Sequence, residues 1–103
     1  MYTSGVGQFE ITKKGIYFMN IVFTKKVLEI VGKIPKGKTL SYKEVAARAG
    51  NTGAARVVGN IMRRNYDLKI PCHRVIKSDG TPGDYNRGGK KTKARLLREE
   101  QAF

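Results

Sequence analysis

Apolar residues recur at helical spacing around residue 30 and predict the first helix of the chain. This helix is expected to begin at Thr24 and to end before the breaker Pro35-Lys36-Gly37. Its apolar positions, three or four residues apart, are Val27, Leu28, Val31 and Ile34. The spacing places them on one face, which is expected to pack against a core.

The first part of the chain has a different pattern. Residues 1–20 are expected to form an N-terminal arm or a short hairpin, and residues 21–103 to form one domain. Two loosely alternating segments, Gln8–Thr12 and Gly15–Met19, lie around the turn signal Lys13-Lys14-Gly15.

The second helix has the clearest start signal in the sequence. Ser41 and Glu44 are spaced as a capping box, which predicts a helix over Tyr42–Ala49. Gly50 is suited to the left-handed stop that ends a helix, and Asn51-Thr52-Gly53 forms a turn after it.

A third helix is predicted from Ala54 to about Arg64, and two helices joined by a short glycine-containing turn are typical of the helix-turn-helix motif. Its apolar side is expected to hold Val57, Val58, Ile61 and Met62. The opposite face, which can lie close against a sugar-phosphate backbone because it has a glycine gap, holds Arg56, Gly59, Asn60 and Arg63.

Cys72 is the only cysteine of the chain and follows Pro71 in a segment predicted to be loop and short strand. The β-branched residues Val75 and Ile76 interrupt the helical pattern, and Ser78-Asp79-Gly80 marks a turn. Catalytic groups often lie on such irregular backbone.

The last part of the chain is predicted to be a mobile loop over residues 83–89, followed by a basic helix from about Lys91 to Gln101. Glu100 stands four residues after Leu96 and three after Leu97, which places its carboxylate at the edge of the apolar seam.

Composition narrows the class of partner. The 103 residues suit one domain, and their formal net charge of +13 favours an anionic partner, first of all nucleic acid. There is no run of about 18 apolar residues, no secretory signal and no lipidation motif, so a membrane partner is not expected. One cysteine and one histidine offer too few ligands for a metal site, and no cofactor is expected. We expect a cytoplasmic, nucleoid-associated protein or a nuclear one.

The motif Pro71-Cys72-His73-Arg74-Val75 resembles the active-site motif of the O6-alkylguanine-DNA alkyltransferases, also called methylated-DNA-protein-cysteine methyltransferases. The resemblance runs from about Phe23 to Glu100 and covers the DNA-binding and active-site domain of that family. The supporting motifs occur in the family's order: Ser41-Tyr42, Ala54-Ala55-Arg56-Val57-Val58-Gly59, Met62-Arg63-Arg64-Asn65, Tyr85 and Leu96-Leu97-Arg98-Glu99-Glu100.

The resemblance implies a mainly α, winged helix-turn-helix-like fold of three helices with a short β-hairpin and a C-terminal helix. It also implies DNA repair by direct reversal. An alkylated guanine is flipped out of double-stranded DNA from the minor groove, and its alkyl group passes irreversibly to the cysteine sulfur. The protein is then consumed, and it is expected to act as a monomer, with cooperative binding along DNA left open.

The resemblance implies four catalytic residues. Cys72 is the nucleophile, His73 relays its proton through water, and Glu100 is the carboxylate at the end of that path. Asn65 braces the active-site turn. The alternatives are structural: an inert buried thiol, a hydrogen-bonding histidine, a solvated acid and a helix C-cap.

Other residues are implied to contact the DNA. Arg56 fills the gap left by the flipped nucleotide, and Tyr42 presses on the phosphate beside it. Tyr85 and the backbone of Val75 contact the guanine. Arg74 is expected to support the fold or to contact phosphate.

The chain departs from the family pattern in features that bear on function. Family members usually carry an additional N-terminal α/β domain, where this chain has about twenty unmatched residues, so we expect a minimal form. Asp84 adds a negative charge near the base pocket, which leaves the substrate preference open.

One alternative is an alkyltransferase-like protein that flips and flags the lesion without transfer, although Cys72 argues against it. The more distant one is a winged-helix transcription regulator.

Overall fold

The computed structural model describes residues 13–102, with side chains from Asn20 onward. This part of the chain contains four α-helices, one 3₁₀ turn and a two-stranded sheet. The elements in chain order are α1 (Lys13–Gly32), β1 (Leu40–Ser41), α2 (Tyr42–Arg48), α3 (Ala55–Arg64), the 3₁₀ turn (Cys72–Arg74), β2 (Val75–Ile76) and α4 (Gly89–Glu99). The mainly α, helix-turn-helix-like class is thus confirmed.

The first helix is longer than the sequence predicts, because α1 begins at Lys13 and not at Thr24. Gly15–Met19, expected as the second segment of a hairpin, is helical. The first segment, Gln8–Thr12, lies outside the described residues. Short apolar runs rich in aromatic and β-branched residues fit a strand and a helix equally well, which explains the error.

The helix-turn-helix forms as predicted. The backbone N–H of Glu44 donates to the hydroxyl of Ser41 at 2.9 Å, and the N–H of Ser41 donates to the Glu44 carboxylate at 2.8 Å. This reciprocal capping box starts α2. At its other end Gly50 has a φ of +99°, a left-handed conformation that glycine adopts without a steric penalty.

The core lies where α1, α2 and α3 meet, and Cys72 is part of it. Val58 is fully buried, whereas Val57, predicted on the same side of α3, is 46% exposed. The helical period rotates Val57 by about 100° from Val58, out of the apolar face. The buried cluster consists of Val27, Val31, Ile34, Val45, Ala46, Ala49, Ala54, Val58, Met62, Cys72 and Val75.

The sheet is parallel and pairs Leu40 with Val75 and Ser41 with Ile76. The expected short β-hairpin is therefore wrong for residues 13–102, because the paired strands are far apart in sequence. The turn predicted at Ser78-Asp79-Gly80 does form, since the N–H of Lys77 donates to the carbonyl of Thr81 at 2.9 Å. The pairing holds the start of α2 next to the strand that follows Cys72.

Candidate active site

Cys72 opens the 3₁₀ turn and is 3% exposed. Its sulfur accepts a hydrogen bond from the side-chain amide of Asn65 at 2.9 Å, and its backbone N–H donates to the carbonyl of Ile70 at 2.8 Å. Asn65 also ends α3 as its C-cap, so the structural and the bracing interpretations of this residue are both compatible with the geometry.

His73, Arg74 and Glu100 form one side-chain network. Nε2 of His73 lies 2.8 Å from Oε2 of Glu100. Arg74 donates from Nε and Nη2 to the two carboxylate oxygens, each at 2.9 Å, and from Nη1 to the carbonyl of Ile34 at 2.9 Å. The Arg74 hydrogen bonds in particular lower the pKa of Glu100 to about 2, so the carboxylate is ionised at neutral pH. With a proton on Nε2 facing Glu100, neutral His73 has Nδ1 free to accept a proton.

A cleft of about 780 Å³ opens beside Cys72. Tyr42 comes from α2, Arg63 and Arg56 from α3, and Tyr85 from the loop before α4. An added Cβ at Gly59 would meet nothing within 4 Å, so this position keeps the wall of the cleft open. The cleft thus brings together six of the sequence-predicted residues: Tyr42, Arg56, Gly59, Arg63, Cys72 and Tyr85.

Other predicted DNA contacts lie elsewhere. Asn60 is exposed on α3, and its side-chain oxygen accepts from Nη1 of Arg63 at 2.7 Å. Val75 is fully buried in β2, so only its backbone is a candidate for contact with a base. His73 lies near the cleft wall, since its ring meets that of Tyr85 edge to face with centroids 6.3 Å apart.

Lys93 is a site residue that the sequence did not reveal. Its side chain is only 1% exposed, and its ammonium group donates to the Tyr42 hydroxyl and to the Asp84 carbonyl, each at 3.1 Å. The ammonium also lies 5.4 Å from the centre of the Tyr42 ring. Burial lowers the pKa of Lys93 to about 8 and raises the pKa of Tyr42. The available signal was its position four residues before Leu97, in the apolar register of α4.

The cleft is strongly cationic. Among the residues that the structure describes, Asp84 is the one acidic residue in its lining. The basic lining residues are Lys43, Arg56, Arg63, Lys77, Lys90 and Lys93. Such a concentration of positive charge beside a nucleophile favours an anionic ligand such as a nucleic acid backbone.

Between residues 13 and 102, no group of three or more His, Cys, Asp or Glu side chains is placed to hold a metal ion. No helix of that region is long and apolar enough to cross a membrane.

Fold and site together define a helix-turn-helix domain with a buried cysteine at the base of a cationic cleft. Residues 22–102 match the family described as 6-O-methylguanine DNA methyltransferase, DNA binding domain, and the chain belongs to this family.

Individual relatives agree with this assignment. The methylated-DNA-protein-cysteine methyltransferase of Methanothermobacter thermautotrophicus is 52% identical over 79 residues, which cover 76% of this chain and 43% of the relative. The OGT of Mycobacterium tuberculosis, solved in complex with DNA, is 40% identical with a TM-score of 0.72, covering 78% of this chain and 49% of that one. Atl1 of S. pombe, solved with damaged DNA containing O6-carboxymethylguanine, is 35% identical with a TM-score of 0.68, covering 76% of this chain and 74% of that one. The chain spans about two fifths of the length of the curated methyltransferases it matches.

Proposed function

We propose that this chain repairs DNA by transferring the alkyl group of O6-alkylguanine irreversibly to Cys72. The observation that carries the proposal is the position of Cys72, which accepts a hydrogen bond from Asn65 and lines a cationic cleft. The names of the relatives support the same reaction.

The reaction is a displacement at a saturated carbon. The thiol of Cys72 loses its proton, the sulfur forms a bond to the alkyl carbon, and the bond from that carbon to O6 breaks. The departing guanine takes up a proton, so a thioether and an ordinary guanine remain. Because a thioether is not readily hydrolysed, each molecule acts once.

The His73–Glu100 network is suited to accept the thiol proton. Asn65 donates a hydrogen bond to the sulfur of Cys72. A bridging water would carry the thiol proton to Nδ1 of His73. The resulting imidazolium would be stabilised by the ionised Glu100, at 2.8 Å from Nε2. Arg74 keeps that carboxylate in place and charged.

We propose that α2 and α3 bring the lesion to this site. A base inside a duplex is out of reach of Cys72, so the alkylated nucleotide must rotate into the cleft. Arg56, exposed on α3 and lining the cleft, would enter the minor groove and fill the gap. Tyr42 would press on the adjacent phosphate, and Tyr85 would contact the base. An activity of this kind belongs at the nucleoid or in the nucleus.

The test is mass spectrometry after incubation with a duplex oligonucleotide that contains O6-methylguanine. We expect a gain of one methyl group on the peptide that contains Cys72, and none in Cys72→Ser. Lesion-dependent binding without a change in mass would overturn transfer in favour of an alkyltransferase-like protein that flips and flags the lesion. Sequence-specific binding without lesion preference would indicate a regulator.

A further inference from the structure

The loop before α4 is attached to the end of α3 by two adjacent side chains. Nδ2 of Asn86 donates to the carbonyls of Arg63 at 2.7 Å and Asn65 at 2.8 Å, with a longer contact of 3.3 Å to Met62. Nη2 of Arg87 donates to the carbonyl of Asp67 at 2.9 Å and to that of Asn65 at 3.3 Å.

These donors satisfy backbone carbonyls at the C-terminal end of α3. The last carbonyls of a helix have no partner within it, and a positive charge near them is favourable. Asn86 and Arg87 supply both from a segment more than twenty positions away. We call the two residues the carbonyl clamp.

Two hydrogen-bond paths lead from the carbonyl clamp to Cys72. The first is short: Asn65, held at its carbonyl by both clamp residues, donates from its side chain to the sulfur at 2.9 Å. The second follows the backbone, because the Asp67 carbonyl accepts from Ile70 N–H at 3.0 Å and the Ile70 carbonyl accepts from Cys72 N–H at 2.8 Å. The carbonyl clamp therefore holds both Asn65, which donates to the sulfur, and the backbone turn that carries Cys72.

We propose that Asn86 and Arg87 are positioning residues for the Cys72 nucleophile, holding Asn65 in the geometry in which its amide donates to the sulfur. The clamp directly follows Tyr85 in the chain, so one loop both lines the cleft and positions the Cys72 thiol. This inference rests on the proposed role of Cys72. Its test needs no DNA, however, and therefore remains informative if the repair reaction is absent.

The experiment is the pH dependence of Cys72 alkylation by iodoacetamide. Because the chain has one cysteine, the rate reports a single site. We expect Asn65→Leu and Asn86→Leu each to move the midpoint of the profile upward by about one pH unit, because the thiolate loses a hydrogen bond. The alkylation rate near neutral pH then falls by about tenfold.

Several charged or titratable groups surround the thiol and must be common to all proteins compared. The substitutions at Asn65, Asn86 and Thr92 leave all of them in place: Tyr42 on α2, Arg63 on α3, His73 beside the thiol, Asp84 and Arg87 in the loop, and Lys93 on α4.

The matched control is Thr92→Val, which removes a hydrogen bond from Thr92 Oγ1 to the Gly88 carbonyl in the same region but leaves the clamp intact. We expect its midpoint to equal that of the parent protein. A merely structural role for Asn86 would lower stability and leave the midpoint unchanged, and that result would overturn the proposal.

A double variant tests whether the clamp acts through Asn65. The midpoint of Asn65→Leu/Asn86→Leu should equal that of Asn65→Leu alone, whereas two additive shifts would contradict the proposed path. Arg87→Met is the second probe should Asn86→Leu not fold, and it should shift the midpoint in the same direction. Arg87→Lys, which keeps a charged donor, should restore it.

Discussion

Nε2 of His73 and Oε2 of Glu100 lie 2.8 Å apart, although 27 positions separate the two residues in the chain. The contact joins the C-cap of α4 to the turn that carries Cys72. It brings an ionised carboxylate to the residue that we propose as the acceptor of the thiol proton.

Replacement of this carboxylate should slow transfer. In Glu100→Gln the imidazolium of His73 loses its counter-charge, and we expect the single-turnover rate of Cys72 methylation to fall about 10- to 100-fold. The rate is measured by quenched-flow sampling and peptide mass spectrometry. Glu99→Gln is the control, since Glu99 is 58% exposed and pairs with Arg95. Equal losses in the two variants would contradict a specific role for Glu100.

The same carboxylate should make stability depend on acid. The pKa of Glu100 is lowered from 4.5 to about 2 in the folded protein, chiefly by Arg74. The contribution of the Glu100 carboxylate to the free energy of unfolding is thus complete above the unfolded pKa of 4.5, and it is lost as the pH falls towards 2. At neutral pH we expect Glu100→Gln to be less stable by about 3 kcal/mol. Urea unfolding should show that the difference in stability between the parent protein and Glu100→Gln becomes smaller below pH 4.5. A difference that does not change with pH would be contrary evidence.

Lys93 should produce an effect at alkaline pH. Its pKa is lowered by burial from 10.5 to about 8, so between these values the unfolded chain binds the additional proton. The free energy of unfolding should therefore rise with pH in this window, by about 1 to 2 kcal/mol relative to Lys93→Met. Measurements should stop below pH 10, where the titration of Tyr42 begins to contribute. Lys91→Met, on the exposed side of α4, should show no such difference from the parent protein.

Arg56 should matter only when a base must leave a duplex. We expect Arg56→Ala to slow repair of O6-methylguanine in duplex DNA by about 10- to 100-fold, because the extruded state loses the side chain that fills the gap. Reaction with free O6-methylguanine should be nearly unchanged. Arg64→Ala removes the same charge from α3 outside the cleft and should have a much smaller effect. Matching losses on duplex and free base would speak against the role of Arg56.

Local signals in the sequence predicted the helix-turn-helix well. The Ser41–Glu44 capping box and the left-handed Gly50 are each determined by a few neighbouring residues, and both occur as predicted. The family motif likewise identified the residues that the fold gathers around Cys72. Their roles in catalysis and DNA binding stay predictions.

The features that the sequence did not reveal depend on distant parts of the chain. Two-residue strands have no measurable alternation, so nothing local indicates that Leu40 pairs with Val75. Lys93 is buried because Tyr42 and Asp84, both outside α4, accept from its ammonium group. The hydrogen bonds that attach the loop over residues 83–89 to α3 were not foreseen, because the partners of Asn86 are backbone carbonyls, which every residue type carries.

The parallel ladder has a mechanical consequence. Ser41 pairs with Ile76 and also caps α2, so the helix that begins with Tyr42 and the strand that follows Cys72 move as one rigid unit. Widening the cleft by moving α2 away from the thiol would break either the strand pairing or the cap. The backbone on this side of the cleft is therefore fixed in place, and tolerance for larger alkyl groups should depend on the side chains that line the cleft.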